Sequence, residues 1–273
     1  MLNVAICGIG RAGQELIRTI VEKEKDMRVA AGFCRVGSER KGKDLGLMSH
    51  VDRLGIEALE VTEAGMLLGD RFVDVVIDFS NPAASKLLLA ECKKFGVPAV
   101  VCTTGFTEDE LQWMRSLTKD KSFGLVYAPN VTLGVNVLIE ALKLIAQSLP
   151  FYDFQITETH HIKKADIPSG TAKIISRAIE GELNPGYSDI PINSVRAGGH
   201  IGIHEVMAAG ENEEIVITHQ SFSRRAFAEG ALRAARFISR RKGWHEMSDV
   251  ILSYPATAGM QPLQVVSPSV TTS

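Results

Sequence analysis

The chain opens with an apolar strand that leads directly into a glycine-rich turn and a helix. The strand runs from Leu2 to Cys7, the turn reads Gly8-Ile-Gly-Arg-Ala-Gly13, and apolar residues recur at helical spacing over residues 14–22. In this context a G-x-G-x-x-G pattern allows a tight turn and close approach of a pyrophosphate to the helix N-terminus. The opening therefore predicts a dinucleotide-binding unit, the alternative being a glycine-rich turn without function.

The alternation of strands and helices continues as far as residue 130. Further apolar, strand-like runs lie at residues 28–33, 72–79, 97–102 and 123–127. Such alternation predicts a parallel sheet with right-handed crossovers, and ligands of these sheets bind at the carboxyl ends of the strands. We therefore expect a cofactor-binding crevice formed by Gly8, Ile9, Gly10, Arg11, Ala12, Gly13, Arg35, Phe79, Ser80, Cys102, Thr103, Thr104, Ala128, Pro129, Asn130 and Val131.

Two helix starts in this region carry local signals. Pro82 favours a first helical position, which predicts a helix over the following residues to Phe95. Thr107 precedes an acidic run that ends at Glu110, the pattern of an N-cap followed by an acidic first turn.

The end of the second strand bears on the choice of cofactor. An NAD-selective site usually places an acidic residue there to bond the ribose 2′-hydroxyl. This chain offers Cys34 and Arg35 instead, and the nearest acid, Glu39, lies deep in the loop. An arginine accommodates a 2′-phosphate. We therefore predict that NADPH is preferred and NADH possible, the alternative being that these are ordinary surface charges.

The pattern changes after residue 130. A long helical pattern reaches Leu149, and the later strand-like runs alternate polar and apolar residues, as in an open sheet solvated on one face, with His219 on the polar side. We expect an α/β protein with an N-terminal, doubly wound, Rossmann-like parallel sheet (1–130) and a C-terminal α+β domain (131–240) with an open mixed sheet. Residues 241–273 are expected to pack back on the first domain, with a loosely ordered end from Pro262.

A cluster of basic and small residues lies in the second domain, between Glu158 and Ala172. Its Ser-Gly-Thr turn precedes a helical pattern, so free backbone N–H groups can hold an anion there. Histidines and lysines just upstream can act as cations or proton donors. The combination predicts a site that binds a carboxylate and protonates its ligand, the alternative being a solvated polar loop. The residues concerned are His160, His161, Lys163, Lys164, Ser169, Gly170 and Thr171.

Composition argues against several classes of function. The formal net charge is −2, which gives no bulk attraction to nucleic acid or acidic membranes. No apolar stretch is long enough to cross a bilayer, and no signal-peptide pattern opens the chain. The four cysteines are scattered without C-x-x-C spacing, as is typical of reduced thiols in a cytosolic protein. We therefore expect a cytoplasmic protein that binds neither nucleic acid nor membrane.

A metalloenzyme is a further alternative. Its ligands would come from His160, His161, His200, His204 and His219. Adjacent residues in an extended segment point to opposite faces, and no Asp, Glu or Cys set stands at ligand spacing. The sequence therefore predicts no metal site.

Seven stretches in order along the chain resemble the 4-hydroxy-tetrahydrodipicolinate reductase family, long called dihydrodipicolinate reductase. The most specific is Glu158 to Ala172, which fits the pattern E-x-H-H-x-x-K-x-D-x-P-S-G-T-A. The others are Gly10-Arg-Ala-Gly13, Val76-Ile-Asp-Phe79, Cys102-Thr-Thr-Gly-Phe106, Ala128-Pro-Asn130 with Gly134-Val-Asn136, Ser194-Val-Arg-Ala-Gly198, and Thr218-His219 to Gly230.

The resemblance implies NAD(P)H-dependent reduction of 4-hydroxy-tetrahydrodipicolinate to tetrahydrodipicolinate in lysine and diaminopimelate biosynthesis. It implies that His160 is the proton donor, that Lys164 is its catalytic partner, and that the substrate is a dicarboxylate. It also implies a homotetramer joined through the sheet of the second domain, which would then serve both substrate binding and oligomerisation. The substrate carboxylates would be held by His161, Ser169, Gly170 and Thr171.

The chemistry agrees with these roles. Hydride delivery to a conjugated cyclic imine leaves electron density that a general acid must protonate, and a cationic lysine can stabilise the developing negative charge. Because the cofactor and substrate sites lie on different domains, we also predict a hinge closure that brings them together.

The chain departs from the family pattern at three positions. Cys7 stands at the first glycine of the phosphate loop, Ala12 at its methionine, and Cys102 at the glycine often found before Thr103. On this ground a related reductase of another cyclic imine stays open. A second alternative is a non-catalytic regulator that senses NADP, which explains the glycine turn but gives His160, His161 and Lys164 no task.

Overall fold

The computed structural model describes residues 1–70, 72–183 and 189–253, which form two sheets and the helices that cover them. The strands are β1 (Leu2–Cys7), β2 (Met27–Cys34), β3 (Ala58–Glu60), β4 (Val75–Asp78), β5 (Ala99–Val101), β6 (Gly124–Tyr127), β7 (Asp153–His160), β8 (Ile192–Arg196), β9 (Gly202–Ala209), β10 (Glu214–Ser221) and β11 (Gly243–Glu246). The helices are α1 (Arg11–Lys23), α2 (Leu45–Met48), α3 (Ala64–Gly69), α4 (Pro82–Phe95), α5 (Glu108–Leu117), α6 (Leu133–Ser148), α7 (Gly170–Glu180), α8 (Arg225–Ile238) and α9 (Met247–Leu252).

The first sheet is parallel throughout and has the order β11-β6-β5-β4-β1-β2-β3. Successive residues of β1 face opposite sides: Val4 and Ile6 join a core with α1, whereas Ala5 and Cys7 join one with α4 and α5. A strand buried on both faces explains why its sequence is an apolar run. The predicted doubly wound sheet is confirmed.

Both predicted helix starts are confirmed. The side chain of Asn81 accepts a hydrogen bond from the N–H of Ala84, and Pro82 occupies the first turn of α4. Thr107 and Glu110 form a reciprocal capping box at the start of α5. These caps fix where α4 and α5 begin, so the loops that follow β4 and β5 are short and lie at the carboxyl edge of the sheet.

Helix α8 packs on the first sheet, although we expected the second domain to continue to residue 240. Ala231, Leu232 and Ala235 are buried in the core that contains β1 and α1. A side chain at Gly230 would place its Cβ 1.9 Å from the carbonyl oxygen of Val131, so the helix lies directly against the chain where the second domain begins. The first core therefore includes α8.

The expected return of the C-terminal segment to the first domain is seen for residues 243–252. Strand β11 pairs in parallel with β6, and α9 follows it. The predicted loosely ordered end from Pro262 lies outside the described residues. No helix in the described ranges combines the length and apolarity needed to span a membrane.

The second sheet is mixed, with the order β10-β9-β7-β8, as expected. Strand β9 runs antiparallel to β7 and β10, and β7 runs parallel to β8. Helices α6 and α7 cover one face, where Leu142, Ile156 and Ile175 are fully or almost fully buried. The opposite face carries no helix within the described residues, which explains the alternation in the sequence.

The predicted position of His219 on the polar side of its strand is wrong. Along β10, Val216, Thr218 and Gln220 are exposed, whereas Ile217 and His219 are half-buried on the face covered by α6. A Cβ on Gly134, at the start of α6, would come within 2.8 Å of the His219 ring. His219 therefore shares the inner face of the sheet with His204, its partner in register on β9.

Candidate active site

The glycine turn after β1 has two close packing points and one open face. Gly8 has a φ of +88°, and a Cβ there would lie 2.4 Å from the carbonyl oxygen of Phe79. A Cβ on Gly13 would lie 2.2 Å from the carbonyl oxygen of Gly8, whereas Gly10 has open space around it. The turn can therefore offer the N-terminus of α1, beginning at Arg11, to a pyrophosphate on the side of Gly10.

Asp78 ties together the loops after β4 and β5. Its fully buried carboxylate accepts hydrogen bonds from the N–H of Ser80 at 2.9 Å, from the hydroxyl of Thr103 at 3.1 Å, and from the hydroxyl of Ser85. Burial raises the pKa of Asp78, and these hydrogen bonds oppose the rise. Asp78 thus fixes the expected cofactor residues Phe79, Ser80, Thr103 and Thr104 relative to one another. The sequence signal that could have identified Asp78 is the presence of an aspartate inside an apolar strand.

The two cysteines that replace family glycines are buried near Asp78. Burial, together with the Asp78 charge, raises the pKa of the Cys7 and Cys102 thiols above its ordinary value. They are therefore protonated at neutral pH and pack as small apolar side chains.

Arg35 is exposed directly after β2, at the same edge of the sheet. Glu60, at the end of β3, pairs in register with Cys34, so an acidic residue lies closer to this strand end than sequence reasoning found. Its carboxylate accepts a hydrogen bond from the N–H of Gly37 at 3.0 Å and lies 3.8 Å from the Lys41 ammonium. Much of the Glu60 charge is therefore already compensated.

Asn130, at the end of the β6 loop, joins the cofactor edge to the basic cluster. Its amide nitrogen donates to the hydroxyl of Thr171 at 2.8 Å, and its amide oxygen accepts from the N–H and hydroxyl of Thr132. Asn136 donates to the Asn130 carbonyl at 2.9 Å. Ala128 and Val131 are buried on either side, so this loop is fixed where the two domains meet.

Strand β7 extends to His160, which puts Glu158 and His160 on one face of the sheet. Both are buried, and the Nδ1 of His160 hydrogen-bonds to Glu158. Arg196, in register with His160 on β8, donates to both Glu158 oxygens at 2.6 and 3.0 Å. The N–H of Ser169 donates to Glu158 at 3.2 Å. Sequence reasoning assigned no role to Glu158 or Arg196.

These contacts set the charges of the pair. Burial opposes ionisation of Glu158, but hydrogen bonds from Arg196 and His160 lower its pKa to about 2. Burial also lowers the pKa of His160, together with the charges of Lys164 and Arg196, and Glu158 opposes that effect. At neutral pH Glu158 is thus a carboxylate beside an imidazole that can gain a proton.

Lys164 and His161 lie on the turn that follows β7. The Lys164 ammonium binds both oxygens of Asp166, at 2.7 and 2.8 Å, and about a fifth of its side chain is exposed. The N–H of His161 donates to the carbonyl of His200 at 2.8 Å, and the N–H of Lys164 to the carbonyl of His161 at 3.0 Å. The Nδ1 of His161 is buried and has no hydrogen-bond partner among the described residues.

The residues of the predicted anion cradle, Ser169, Gly170 and Thr171, lie at the start of α7, but they are not equally available to a ligand. Ser169 is buried, its N–H is taken by Glu158, and its hydroxyl caps the N–H of Ala172 at 3.1 Å. Gly170 is exposed with open space around it, and Thr171 is half-buried beside Asn130. The accessible part of the cradle is therefore Gly170 and Thr171.

A row of histidines lies on the inner face of the second sheet. The rings of His160 and His204 are 5.2 Å apart, those of His204 and His219 are 6.3 Å apart, and the hydroxyl of Ser169 lies 3.4 Å from the Nε2 of His204. Burial and the neighbouring histidines lower the pKa of His204 to about 4, so it is neutral at neutral pH. Sequence reasoning named His204 and His219 only as metal-ligand candidates, but their alternation with apolar residues signals the inner face.

The described ranges contain no group of three or more His, Cys, Asp or Glu side chains arranged to hold a metal ion.

Comparison with known proteins gives full-length matches. The family model described as "Dihydrodipicolinate reductase, N-terminus" matches residues 2–131, and the one described as "Dihydrodipicolinate reductase, C-terminus" matches residues 134–251. A 4-hydroxy-tetrahydrodipicolinate reductase of Chromohalobacter salexigens is 37% identical over 272 residues, covering 92% of this chain and 98% of that protein. One of Ralstonia nicotianae is 38% identical over 274 residues, covering 92% and 99%.

Solved structures agree. A dihydrodipicolinate reductase of Paenisporosarcina sp. TG-14, solved with dipicolinate bound, has a TM-score of 0.74 at 26% identity and covers 90% of this chain and 97% of its own. An amine dehydrogenase of Mycobacterium smegmatis has a TM-score of 0.65 at 12% identity, covering 89% and 94%, which is a likeness of fold alone. The chain belongs to the 4-hydroxy-tetrahydrodipicolinate reductase family.

Proposed function

We propose that this protein reduces 4-hydroxy-tetrahydrodipicolinate by hydride transfer from NADPH, with His160 as the proton donor. That it is an NAD(P)H-dependent oxidoreductase of lysine and diaminopimelate biosynthesis follows from its family. The proposal adds the residues that carry the reaction and the preferred cofactor.

The observation that carries the proposal is the hydrogen bond between Asn130 and Thr171. It joins the carboxyl edge of a dinucleotide-type sheet to the helix start beside His160. A nicotinamide at that edge and an anionic ligand at Gly170 and Thr171 would then be neighbours, as hydride transfer requires. A regulator that only sensed NADP would have no use for this junction.

We assign the cationic groups to the substrate carboxylates and to the developing negative charge. Lys164 can leave Asp166 for a substrate, since an exposed ion pair is worth only about 1 kcal/mol or less. His161 carries a buried ring nitrogen that has no hydrogen-bond partner in the described part of the chain. Gly170 and Thr171 begin α7, where the helix dipole favours an anion. A dicarboxylate is thus a suitable ligand, as dipicolinate is for the Paenisporosarcina relative.

The direct test is an assay of NADPH absorbance with the freshly formed condensation product of pyruvate and aspartate semialdehyde. We expect the absorbance to fall only when enzyme and condensation product are both present. NADPH binding without turnover would favour the sensing regulator. Turnover of another cyclic imine at higher kcat/KM would favour the related reductase.

Changing Arg35 to Ala is expected to lower kcat/KM for NADPH by about 10- to 100-fold, because a charge-assisted hydrogen bond to the 2′-phosphate is worth about 1.5–3 kcal/mol. Kinetics with NADH should change little, since NADH lacks that phosphate. Arg53, also exposed and in the loop that leads to β3, provides the matched control as Arg53→Ala. An equal loss with both cofactors, or a higher kcat/KM for NADH in the unchanged protein, would contradict the assignment.

We also propose a homotetramer that assembles through the uncovered face of the second sheet. That face carries exposed β-branched residues, among them Val195 and Val216. Sedimentation or light scattering should give about four times the 29.7 kDa chain mass, and a single-chain mass would contradict the proposal. A cytoplasmic location is part of the same account, because all four cysteines are unpaired and buried.

A further inference from the structure

Glu158 is a fully buried carboxylate to which the proposed reaction gives no task. Burying a charge is costly unless its partners satisfy it completely. Each of its oxygens accepts two hydrogen bonds: one takes Arg196 and the N–H of Ser169, and the other takes Arg196 and the Nδ1 of His160. Arg196 and Ser169 alone would satisfy a structural ion pair. The contact with His160 is what points to function.

We propose that Glu158 is a positioning residue that holds the ring of His160 with its proton on Nδ1, so that Nε2 is the atom that takes up and delivers the proton. This inference rests on the proposed role of His160. An ionised carboxylate can only accept hydrogen bonds, so Nδ1 must donate, and the tautomer is fixed.

The surroundings of Nε2 agree with this role. Nε2 has no hydrogen-bond partner among the described residues, whereas Nδ1 is bonded to Glu158. Gly202, on the adjacent strand β9, keeps space open there, because a Cβ at that position would come within 3.1 Å of Nε2. Nε2, the nitrogen that Glu158 does not hold, is therefore the one left to a substrate.

The charged and titratable groups facing the ring are Glu158 from β7, Lys164 from the following turn, Arg196 from β8 and His204 from β9. Glu158 is the only anion among them. A dianionic substrate would add negative charge near the ring and favour the imidazolium. His160 then takes one proton from solvent as the substrate binds.

The reaction balances with this proton. NADPH supplies the hydride with its two electrons, and Nε2–H supplies the proton to the substrate atom left with the electron pair. The conjugated imine that accepts the hydride forms when the substrate loses its 4-hydroxyl group and a ring hydrogen as water. The products are therefore NADP⁺, water, tetrahydrodipicolinate, and neutral His160 with its proton still on Nδ1.

The test is Glu158→Gln, which keeps the size of the side chain and removes its charge. We expect kcat to fall about 10²-fold or more, with the KM for NADPH unchanged. Activity requires protonated His160, so kcat/KM falls as pH rises through its pKa. Glu158 is the anion that favours the imidazolium, so removing its charge should lower the pKa of His160. The fall of kcat/KM on the alkaline side (the alkaline limb of the pH profile) should then move to lower pH. The matched control, Glu229→Gln, changes an exposed glutamate on α8, away from the basic cluster and from the uncovered face of the second sheet, and should alter none of these quantities.

A second measurement does not depend on the folding of the variant. Calorimetry of pyridine-2,6-dicarboxylate binding to the unchanged protein, in buffers of different ionisation heat at about pH 7.5, should show proton uptake approaching one per site, since the pH is then above the ordinary histidine pKa. His160→Gln should abolish that uptake.

Wild-type kcat and an unshifted alkaline limb in Glu158→Gln, or binding without proton uptake in the unchanged protein, would overturn the inference. Failure of the unchanged protein to turn over the substrate would instead overturn the proposed function, so the two failures are distinguishable.

Discussion

Replacing His160 with Gln is expected to lower kcat by about 10²- to 10⁴-fold, the range that a positioned general acid supplies. Glutamine keeps polar atoms near Glu158 but cannot deliver a proton near neutral pH. Cofactor binding should persist, because His160 lies on β7 of the second domain and the glycine turn follows β1 of the first. Steady-state kinetics, with a fluorescence titration of NADPH, measures both quantities on one sample.

A matched control is His245→Gln. His245 lies on β11, outside the basic cluster, and its ring hydrogen-bonds to the carbonyl of Lys242. This variant should keep wild-type kcat. If His160→Gln also retained kcat within about threefold, the assignment of the proton donor would fail, since a loss below about 10²-fold is smaller than general acid catalysis provides.

The second large effect concerns the glycine turn, where two substitutions of the same size should act on different properties. Gly13→Ala places a Cβ 2.2 Å from the carbonyl oxygen of Gly8, so the turn must open, at a cost of about 1–3 kcal/mol or more. Gly10→Ala meets open space in the protein, so its stability should fall by no more than about 1 kcal/mol, the cost of alanine at a helix N-cap. Its methyl group stands on the side where a pyrophosphate would approach, so NADPH affinity should fall about tenfold or more.

Denaturant unfolding and NADPH titration of the two variants separate these effects. We expect the larger loss of stability in Gly13→Ala, and in Gly10→Ala a loss of affinity with at most a small loss of stability. Wild-type affinity in Gly10→Ala would mean that the turn does not hold the pyrophosphate. Wild-type stability in Gly13→Ala would contradict the packing of the turn.

Much of the first domain could be predicted because its signals are local. The apolar runs of β1 and β4 record burial on both faces, and the caps at Asn81 and Thr107 record where helices begin. Helix α8 shows the limit. Its periodicity reveals one buried face, but nothing in it states which sheet that face covers, and α8 packs on the first sheet instead of the second.

Some residues of the candidate site could likewise be found from local sequence signals, and others only from the pairing of strands. The basic cluster could be found because its members are adjacent in sequence. Arg196 is 38 residues from Glu158, and only the register of β7 with β8 brings them together. Glu60 approaches the end of β2 only through strand pairing. His219 looked solvated because histidine is polar, yet its position in the alternation of β10 assigns it to the inner face.

The central claim is that a nicotinamide held at the glycine turn and a dicarboxylate held beside His160 meet across the junction at Asn130. A crystal structure with NADPH and pyridine-2,6-dicarboxylate bound together tests it most directly. We expect the nicotinamide C4 within about 3–4 Å of the dicarboxylate ring, as a near-attack geometry requires, with the His160 Nε2 facing that ring. A dicarboxylate bound away from His160, or one that stays out of hydride-transfer range of a bound nicotinamide after the domains close, would contradict the account.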